Sequence, residues 1–159
     1  MLLSHAKLSK LSLQKSLESN MSRGRRIAFD YGDARIGVAI CDPDGILATP
    51  LPYLDSRNPK LLREISLLLD EYSPISIYIG LPRHLSGSEG VAVEKVREFA
   101  SRLSEITEVT ITFIDERMST VGAQKKLHEA GKNAKDSRAL IDSMSAVAIL
   151  ESGLLHEDK

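Results

Sequence analysis

The chain has 159 residues, 42% of them hydrophobic, and it carries a single cysteine, Cys41. A chain of this length buries roughly 70% of its unfolded surface, so we expect one domain with its own core. One cysteine excludes an internal disulfide framework and suits a reducing, cytoplasmic compartment. No stretch approaches the roughly 20 apolar residues of a membrane-spanning helix, so we expect no membrane partner.

The net charge of −1 is unevenly distributed along the chain. Residues 1–26 carry six basic side chains and one acidic side chain, a net charge of +5, whereas residues 27–159 carry 15 basic and 21 acidic side chains, a net charge of −6. Within that acidic body, residues 117–138 have a net charge of +4. Such a basic cluster is typical of a nucleic-acid partner, but on charge alone a solvated helix face explains it equally well.

The first 24 residues are rich in Ser, Lys and Leu, with a weak helical period and without the apolar core of a secretory signal. The segment that begins at Met21 is typical of a natural protein start. We therefore expect residues 1–24 to be a disordered extension, residues 25–153 to form the domain, and residues 154–159 to be a tail.

Three strands are predicted at the start of the domain. The apolar, β-branched runs RRIAFDY and RIGVAIC are joined by GDA, which predicts a tight hairpin. The sequence CDPDG predicts a second turn, in which Pro43 and Gly45 supply the required backbone angles. The third strand, ATPLPYL, contains two prolines, which favour a position at the edge of the sheet.

Helices and strands alternate in the rest of the chain. Asn58-Pro59 predicts the start of a helix with the proline at its first position, followed by apolar residues at helical spacing: Leu61, Leu62, Ile65, Leu68, Leu69 and Tyr72. PISIYIGLP and VTITFID predict buried strands, and Ser88 is the expected N-cap of the helix between them. Two further helices are predicted over about 119–130 and 137–151.

This order predicts an α/β fold with a five-stranded mixed sheet. Three antiparallel, hairpin-linked strands come first, two helix-connected strands follow, and helices cover both faces of the sheet.

Acidic residues interrupt or end these apolar elements at three places. Asp30 lies inside the first strand, Asp115 and Glu116 end the last strand, and Asp142 lies on the apolar face of the last helix. Any one buried carboxylate is as often structural as functional, because a charge there must be compensated. Three that converge remain ionised together only when a cation neutralises them.

The residue types around these acids indicate which metal and which chemistry to expect. Carboxylate oxygens without a cluster of His or Cys favour Mg²⁺ or Mn²⁺ over zinc, and the four histidines are scattered. No serine or cysteine is placed beside a base for covalent catalysis. The remaining chemistry is metal-assisted hydrolysis, in which the cation polarises a phosphoryl oxygen and lowers the pKa of an attacking water.

The segment DYGDARIG, residues 30–37, also resembles the phosphate-binding hairpin of sugar-kinase and actin-like ATPases. Those proteins need two lobes around a nucleotide, and this chain has the length for one. The glycines of this segment are equally well explained as hairpin and packing positions, and Gly80-Leu81-Pro82 is first a turn and second a substrate loop.

Taken together, four segments resemble the YqgF family in order and in spacing, over about residues 25–153. They are AFDYGDARIGVAICDPDG, IYIGLPRHLSGSEG, FIDERMSTVGAQKKLHEAG and LIDSMSAVAILESGL. Members of that family are described as Holliday junction resolvases and as nucleases that mature the 5′ end of pre-16S ribosomal RNA. The resemblance implies a ribonuclease-H-like fold and a site of three carboxylates that hold the metal, which fall on Asp30, Glu116 and Asp142.

The expected function is therefore a metal-dependent nuclease that acts on a ribosomal RNA precursor in ribosome biogenesis. Phosphate contacts are expected from six basic residues: Arg35, Arg83, Arg117, Lys132, Lys135 and Arg138. One alternative is the same chemistry on branched DNA, which requires a dimer. Another is a non-catalytic module that binds RNA or the ribosome. With 4% aromatic residues, no stacking platform is evident, so the sequence does not choose RNA over DNA, and a monomer and a weak homodimer both remain open.

Overall fold

The computed structural model describes residues 4–82, 89–116 and 134–157, without the side chains of residues 14–22, 89 and 134–142. Nine elements follow one another along these residues. They are α1 (His5–Ser22), β1 (Arg26–Tyr31), β2 (Arg35–Cys41), β3 (Ala48–Asp55), α2 (Leu61–Tyr72), β4 (Ser76–Leu81), α3 (Glu89–Ile106), β5 (Thr110–Asp115) and α4 (Ala134–Glu157).

The five strands form one mixed sheet in the order β3-β2-β1-β4-β5. β2 is antiparallel to both of its neighbours, β1 and β3, whereas β4 and β5 run parallel to β1. This arrangement confirms the predicted α/β fold with three hairpin-linked strands and two helix-connected strands. It also confirms that β3, with its two prolines, lies at an edge, where the missing N–H groups interrupt no ladder.

One face of the sheet packs against α2 and α3. Side chains alternate between the two faces of a strand, so every second residue contributes to this core. Phe29 of β1 is fully buried here and meets the ring of Phe99 edge-on, with ring centroids 5.8 Å apart. The apolar stripe of α2 lies in the same core, as its helical spacing predicted, through Leu61, Ile65 and Leu69.

The opposite face of the sheet packs against α4 and is lined by smaller residues. Ala28, Ala39 and Cys41 are buried there together with Ala146 and other apolar residues of α4. These small side chains let the helix approach the strands closely. The helix is longer than the predicted range 137–151, whereas the predicted helix over 119–130 and the predicted cap at Ser88 lie outside the described residues.

Hydrogen bonds from backbone N–H groups to the side chains of Asp42 and Asn58 shape the turns after β2 and before α2. The carboxylate of Asp42 accepts hydrogen bonds from the N–H groups of Ile46 and Leu47, at 2.8 and 2.7 Å, and these bonds lower the pKa of Asp42. Gly45 adopts φ 68°, as predicted for this turn. The predicted start of α2 at Pro59 is wrong by two residues, because Asn58 Oδ1 accepts a hydrogen bond from the N–H of Lys60 and holds this segment in a turn.

The N-terminal residues form α1, in which the Ser4 side chain accepts a hydrogen bond from the N–H of Lys7. Every described side chain of this helix is exposed, including Leu8, Leu11 and Leu13. The helix therefore adds nothing to the core through these residues, and the proposed division at residue 24 stays a prediction. Among the described residues, no helix has both the length and the apolar character needed to cross a membrane.

Candidate active site

Asp30 lies on the face of the sheet that α4 covers. Ala28 packs against α4 and Phe29 against α3, so the alternation of side chains places Asp30 on the α4 face. Its partner in β2 is Gly37. On the other side, β1 and β4 pair Phe29 with Ile79, and the same register continued by one residue brings Gly80 level with Asp30. Two residues without a Cβ therefore flank the carboxylate.

Glu116 comes to the same face from the end of β5. Its N–H donates a hydrogen bond to the carbonyl of Leu81, at 3.3 Å, which fixes the backbone directly after the strand. A Cβ on Gly80 would lie 2.8 Å from Cγ of Glu116 and 2.5 Å from Cδ1 of Ile149. The side chain of Glu116 therefore fills the space over Gly80, one strand spacing, about 4.8 Å, from the β1 position that carries Asp30.

The neighbouring acid, Asp115, belongs to the opposite face. It pairs with Leu81, which packs in the core against α2 and α3, and paired residues share a face of the sheet. Two consecutive carboxylates at the end of β5 are thus separated by the sheet, and the structure brings Glu116, not Asp115, beside Asp30.

The third predicted acid, Asp142, lies in α4, but its side chain is outside the described ones. The next residue, Ser143, is buried, and its hydroxyl donates a hydrogen bond to the carbonyl of Leu51 at 3.3 Å. This contact places the α4 backbone over β3 at the level of Val38, the partner of Leu51. In the described parts of the chain, no group of three His, Cys, Asp or Glu side chains is close enough to hold a metal ion.

Arg35 is the predicted substrate-binding residue whose side chain the structure describes. It lies two residues before Gly37 in β2 and therefore on the α4 face as well. Its guanidinium carbon lies 4.8 Å from the centroid of the Tyr53 ring, a cation–π contact. Tyr53 was missed by the sequence analysis, because a tyrosine in an apolar strand is just as typical of a core position.

The other predicted phosphate-binding side chains lie outside the described ones. Arg83, Arg117 and Lys132 are not among the described residues, and Lys135 and Arg138 belong to α4 by their backbone alone. On the α3 side of the β1–β2 hairpin, Lys95 Nζ forms an exposed ion pair with Asp33 at 2.9 Å. Hydrogen bonding to Asp33 raises the pKa of Lys95.

A second set of charged residues lies at the other end of the α4 face. Arg26 is buried and donates a hydrogen bond from Nη2 to Glu157 Oε2 at 2.8 Å, and the hydroxyl of Tyr78 donates to the same carboxylate. The N–H of Arg26 donates to Sγ of Cys41 at 3.1 Å. Burial raises the pKa of the Cys41 thiol. We call Arg26, Tyr78 and Glu157 the C-terminal clasp of α4.

Comparison with known proteins agrees with the sequence resemblance. A protein of Streptomyces avermitilis named “Putative pre-16S rRNA nuclease” is 50% identical over 139 residues, which cover 86% of this chain and 89% of the relative. A protein of Mycobacterium ulcerans with the same name is 42% identical over 142 residues, which cover 88% and 84% of the two chains.

The fold has a counterpart among solved structures. RuvC of T. thermophilus, in complex with a Holliday junction substrate, superposes with a TM-score of 0.56 at 13% identity and covers 85% of this chain and 96% of its own. At this identity the likeness concerns the fold, and it confirms the ribonuclease-H-like architecture. The family described as “RuvX: Holliday junction resolvase” matches residues 24–156. The chain belongs to this family, which the sequence analysis identified under the name YqgF.

Proposed function

We propose that the chain is a metal-dependent nuclease that matures the 5′ end of pre-16S ribosomal RNA, in the cytoplasm, as part of ribosome biogenesis. The observation that carries this proposal is the placement of Asp30 and Glu116 on one face of the sheet, with Gly80 leaving room between them. The substrate comes from the relatives, two of which, at 50% and 42% identity, carry the name of a pre-16S rRNA nuclease.

The residues of this site fit a hard divalent cation, Mg²⁺ or Mn²⁺. Their side-chain donors are carboxylate oxygens, which these ions prefer. Asp30 and Glu116 would hold the ion together with Asp142, since positions 142, 146 and 149 share one face of a helix and Ala146 and Ile149 are buried against the sheet. When bound, such an ion polarises a phosphoryl oxygen and lowers the pKa of the attacking water.

The basic residues of the chain would bind and orient the phosphates of the substrate. Arg35 lies on the same face as Asp30, held against Tyr53, and would contact a phosphate beside the one that is cut. Lys132, Lys135 and Arg138 would bind phosphates further along the nucleic acid.

Replacing these three residues together should make binding less dependent on salt. The slope of log affinity against log salt concentration should become shallower by about 0.9 for each duplex phosphate that the three residues neutralise. An unchanged slope would remove the three residues from the site.

A second candidate is cleavage of branched DNA, which the description of the family favours. That activity needs two cuts related by symmetry and therefore a dimer. A third is binding of RNA without cleavage. All three candidate functions use the basic residues in the same way. A cleavage assay that shows whether RNA, branched DNA or neither is cut therefore distinguishes them.

The test is incubation of the protein with Mg²⁺ and either a precursor RNA or a four-way DNA junction. Glu116→Gln should abolish cleavage, because it removes a carboxylate that holds the metal. Asp115→Asn is the matched control, since it removes a charge from the next residue on the opposite face of the sheet. Cleavage of the RNA by the parent and by Asp115→Asn, but not by Glu116→Gln, supports the proposal.

Two other results would contradict it. Cleavage of the junction alone would assign the enzyme to branched DNA. Binding of RNA without cleavage, at every Mg²⁺ and Mn²⁺ concentration, would leave a binding module.

A further inference from the structure

We infer that Tyr53 is a stacking platform for an unpaired nucleobase next to the cleaved phosphate, so that the site takes single-stranded substrate. This inference rests on the proposed function for the position of the cut. It concerns a residue on β3 that neither the sequence motifs nor the acidic site includes.

Tyr53 lies beyond the end of a row of residues that crosses the α4 face of the sheet. From Glu116 over Gly80, the row passes through Asp30 to Gly37. The register between β2 and β3 shifts between Ile36 and Val38, which is the level of Gly37. Tyr53 precedes Leu54, the partner of Ile36, and so lies at this irregularity. Two strand spacings, about 10 Å, separate β1 from β3.

Within the described residues, the α4 face is more accessible at the hairpin end of β1 and β2 than further along these strands. Gly37 is buried, whereas Asp30 and Arg35 are half-buried. A strand of nucleic acid could therefore run along this end of the sheet, from the acids past Arg35 to β3. A nucleotide next to the cut phosphate would then reach Tyr53.

The ring of Tyr53 is both held in place and accessible. The guanidinium of Arg35 lies 4.8 Å from its centroid, while 41% of the residue's surface is exposed. A fixed ring loses little conformational freedom when a base stacks on it. The same contact holds the Arg35 charge beside the ring, where it can meet the phosphate attached to that base. The pair therefore matches one nucleotide, with its base on the ring and its phosphate on the cation.

The charges around the ring determine which part of the nucleotide enters. Tyr53 borders a groove of about 620 Å³, which is also lined by Pro52, Leu54, Asp55, Asn58, Glu64 and Ser143. The carboxylates of Asp55 and Glu64 repel a phosphate group, but they can accept hydrogen bonds from the amino group of a base. The base should enter the groove and the backbone should stay at Arg35. A base that is paired in a duplex cannot do this, because its faces are covered by its neighbours.

The chain contains no tryptophan, which permits a direct test. Tyr53→Trp places one indole at the proposed platform, and a stacked base quenches its fluorescence. We would titrate this variant, in EDTA to prevent cleavage, with a single-stranded RNA from the precursor and with a blunt duplex of the same sequence. Ile46→Trp is the control, because Ile46 is 82% exposed in the loop before β3.

The expected result is strong quenching of the Tyr53→Trp variant by the single strand and little by the duplex. A single abasic nucleotide, scanned along the RNA, should restore the fluorescence at one position. Equal quenching by the single strand and the duplex, equal quenching in both tryptophan variants, or quenching that no abasic nucleotide relieves would overturn the inference.

The protein without an introduced tryptophan gives a second measurement. Tyr53→Leu should raise the Kd for the single strand about tenfold, within the range for the loss of one stacked base, and Tyr53→Phe should leave it unchanged. A Kd that does not move in Tyr53→Leu overturns the inference even when the enzyme cuts RNA. Stacking at Tyr53 in a protein that cuts nothing supports the inference and contradicts the proposed function instead.

Discussion

Acidic side chains have neighbours of opposite charge at one end of the contact between α4 and the sheet and neighbours of the same charge at the other end. At the C-terminal end of α4, the carboxylate of Glu157 lies against the guanidinium of Arg26 and the phenol of Tyr78. At the other end of β1, Asp30 and Glu116, two groups of the same charge, come to one face of the sheet.

On the proposed function, this contrast separates the end of the α4 face that stabilises the fold from the end that carries the chemistry. Opposite charges in partial burial compensate one another, so the clasp ties the helix to β1 without help from outside the chain. Like charges side by side favour the binding of a cation. Changes at the clasp should therefore alter folding, and changes at the acids should alter activity and the response to metal.

The clasp should respond most strongly to mutation. Glu157→Ala removes the carboxylate from the buried guanidinium of Arg26. Removal of one partner of a buried pair costs about 3–5 kcal/mol, and we expect about 3 kcal/mol because Glu157 is a third exposed. The melting temperature should fall by roughly 6–12 °C. The cleavage rate should stay unchanged at low temperature, where the variant is folded. Calorimetry and a cleavage assay check this. A variant that melts like the parent would show that the clasp contributes no stability.

A methyl group at the other end should lower the cleavage rate of the folded protein. Gly80→Ala places a Cβ where the side chain of Glu116 now lies, and that side chain must move. A displacement of about 1 Å in a catalytic group can cost about 100-fold in rate, so we expect a loss of this order in the cleavage rate. The added Cβ would also lie 2.5 Å from Cδ1 of the buried Ile149, so overpacking should lower the stability as well, by about 1–3 kcal/mol. The cleavage rate is therefore measured at a temperature at which the variant is folded. Full activity would contradict the assigned position of Glu116.

The matched control is Gly153→Ala in α4. Its Cβ would lie 2.5 Å from the ring of the buried Tyr78. Overpacking of this kind costs about 1–3 kcal/mol, of which about 1 kcal/mol is offset by the better helix propensity of alanine. This variant should lose stability and keep its cleavage rate. If both alanine variants lose activity alike, the separation between the two ends is wrong.

The weakest response is expected at the Asp42 turn, which lies beside the clasp without belonging to it. Hydrogen bonds from the N–H groups of Leu47 and Ile46 lower the pKa of Asp42, so its contribution is complete above the unfolded pKa of about 3.9 and disappears as the pH falls through the folded value. Asp42→Ala should be less stable than the parent at pH 7, and the difference should shrink at about pH 3. Denaturant titrations at both pH values measure it. A difference that is constant with pH would exclude the carboxylate as its cause.

Much of the fold could be predicted because it depends on local patterns. The apolar runs of β1 and β2 around a three-residue turn specify a hairpin, and the prolines of β3 specify an edge. The stripe of α2 follows from its spacing alone, but its first residue does not, because the Asn58 hydrogen bonds that delay the helix depend on the rotamer of one side chain.

The site could be predicted only in part, because it depends on contacts between distant residues. An aspartate inside an apolar strand is visible in the sequence, whereas the register of β5 determines which of Asp115 and Glu116 shares a face of the sheet with Asp30. The pairing of Arg26 with Glu157 spans 131 residues and leaves no local pattern. The stacking of Arg35 on Tyr53 depends on the irregular register of β3, which spacing does not reveal.

Thermal melts of the parent and of Asp30→Asn, with and without Mg²⁺, test whether the acids share a metal. If they do, Mg²⁺ at about a hundredfold excess over its Kd stabilises the parent by about 2.7 kcal/mol, which raises the melting temperature by roughly 5–10 °C. Asp30→Asn should fold at least as well as the parent without metal, because one of two neighbouring like charges is gone, and should gain much less from Mg²⁺. A parent that Mg²⁺ does not stabilise, together with an Asp30→Asn variant that melts early, would contradict the metal site and make Asp30 a structural residue.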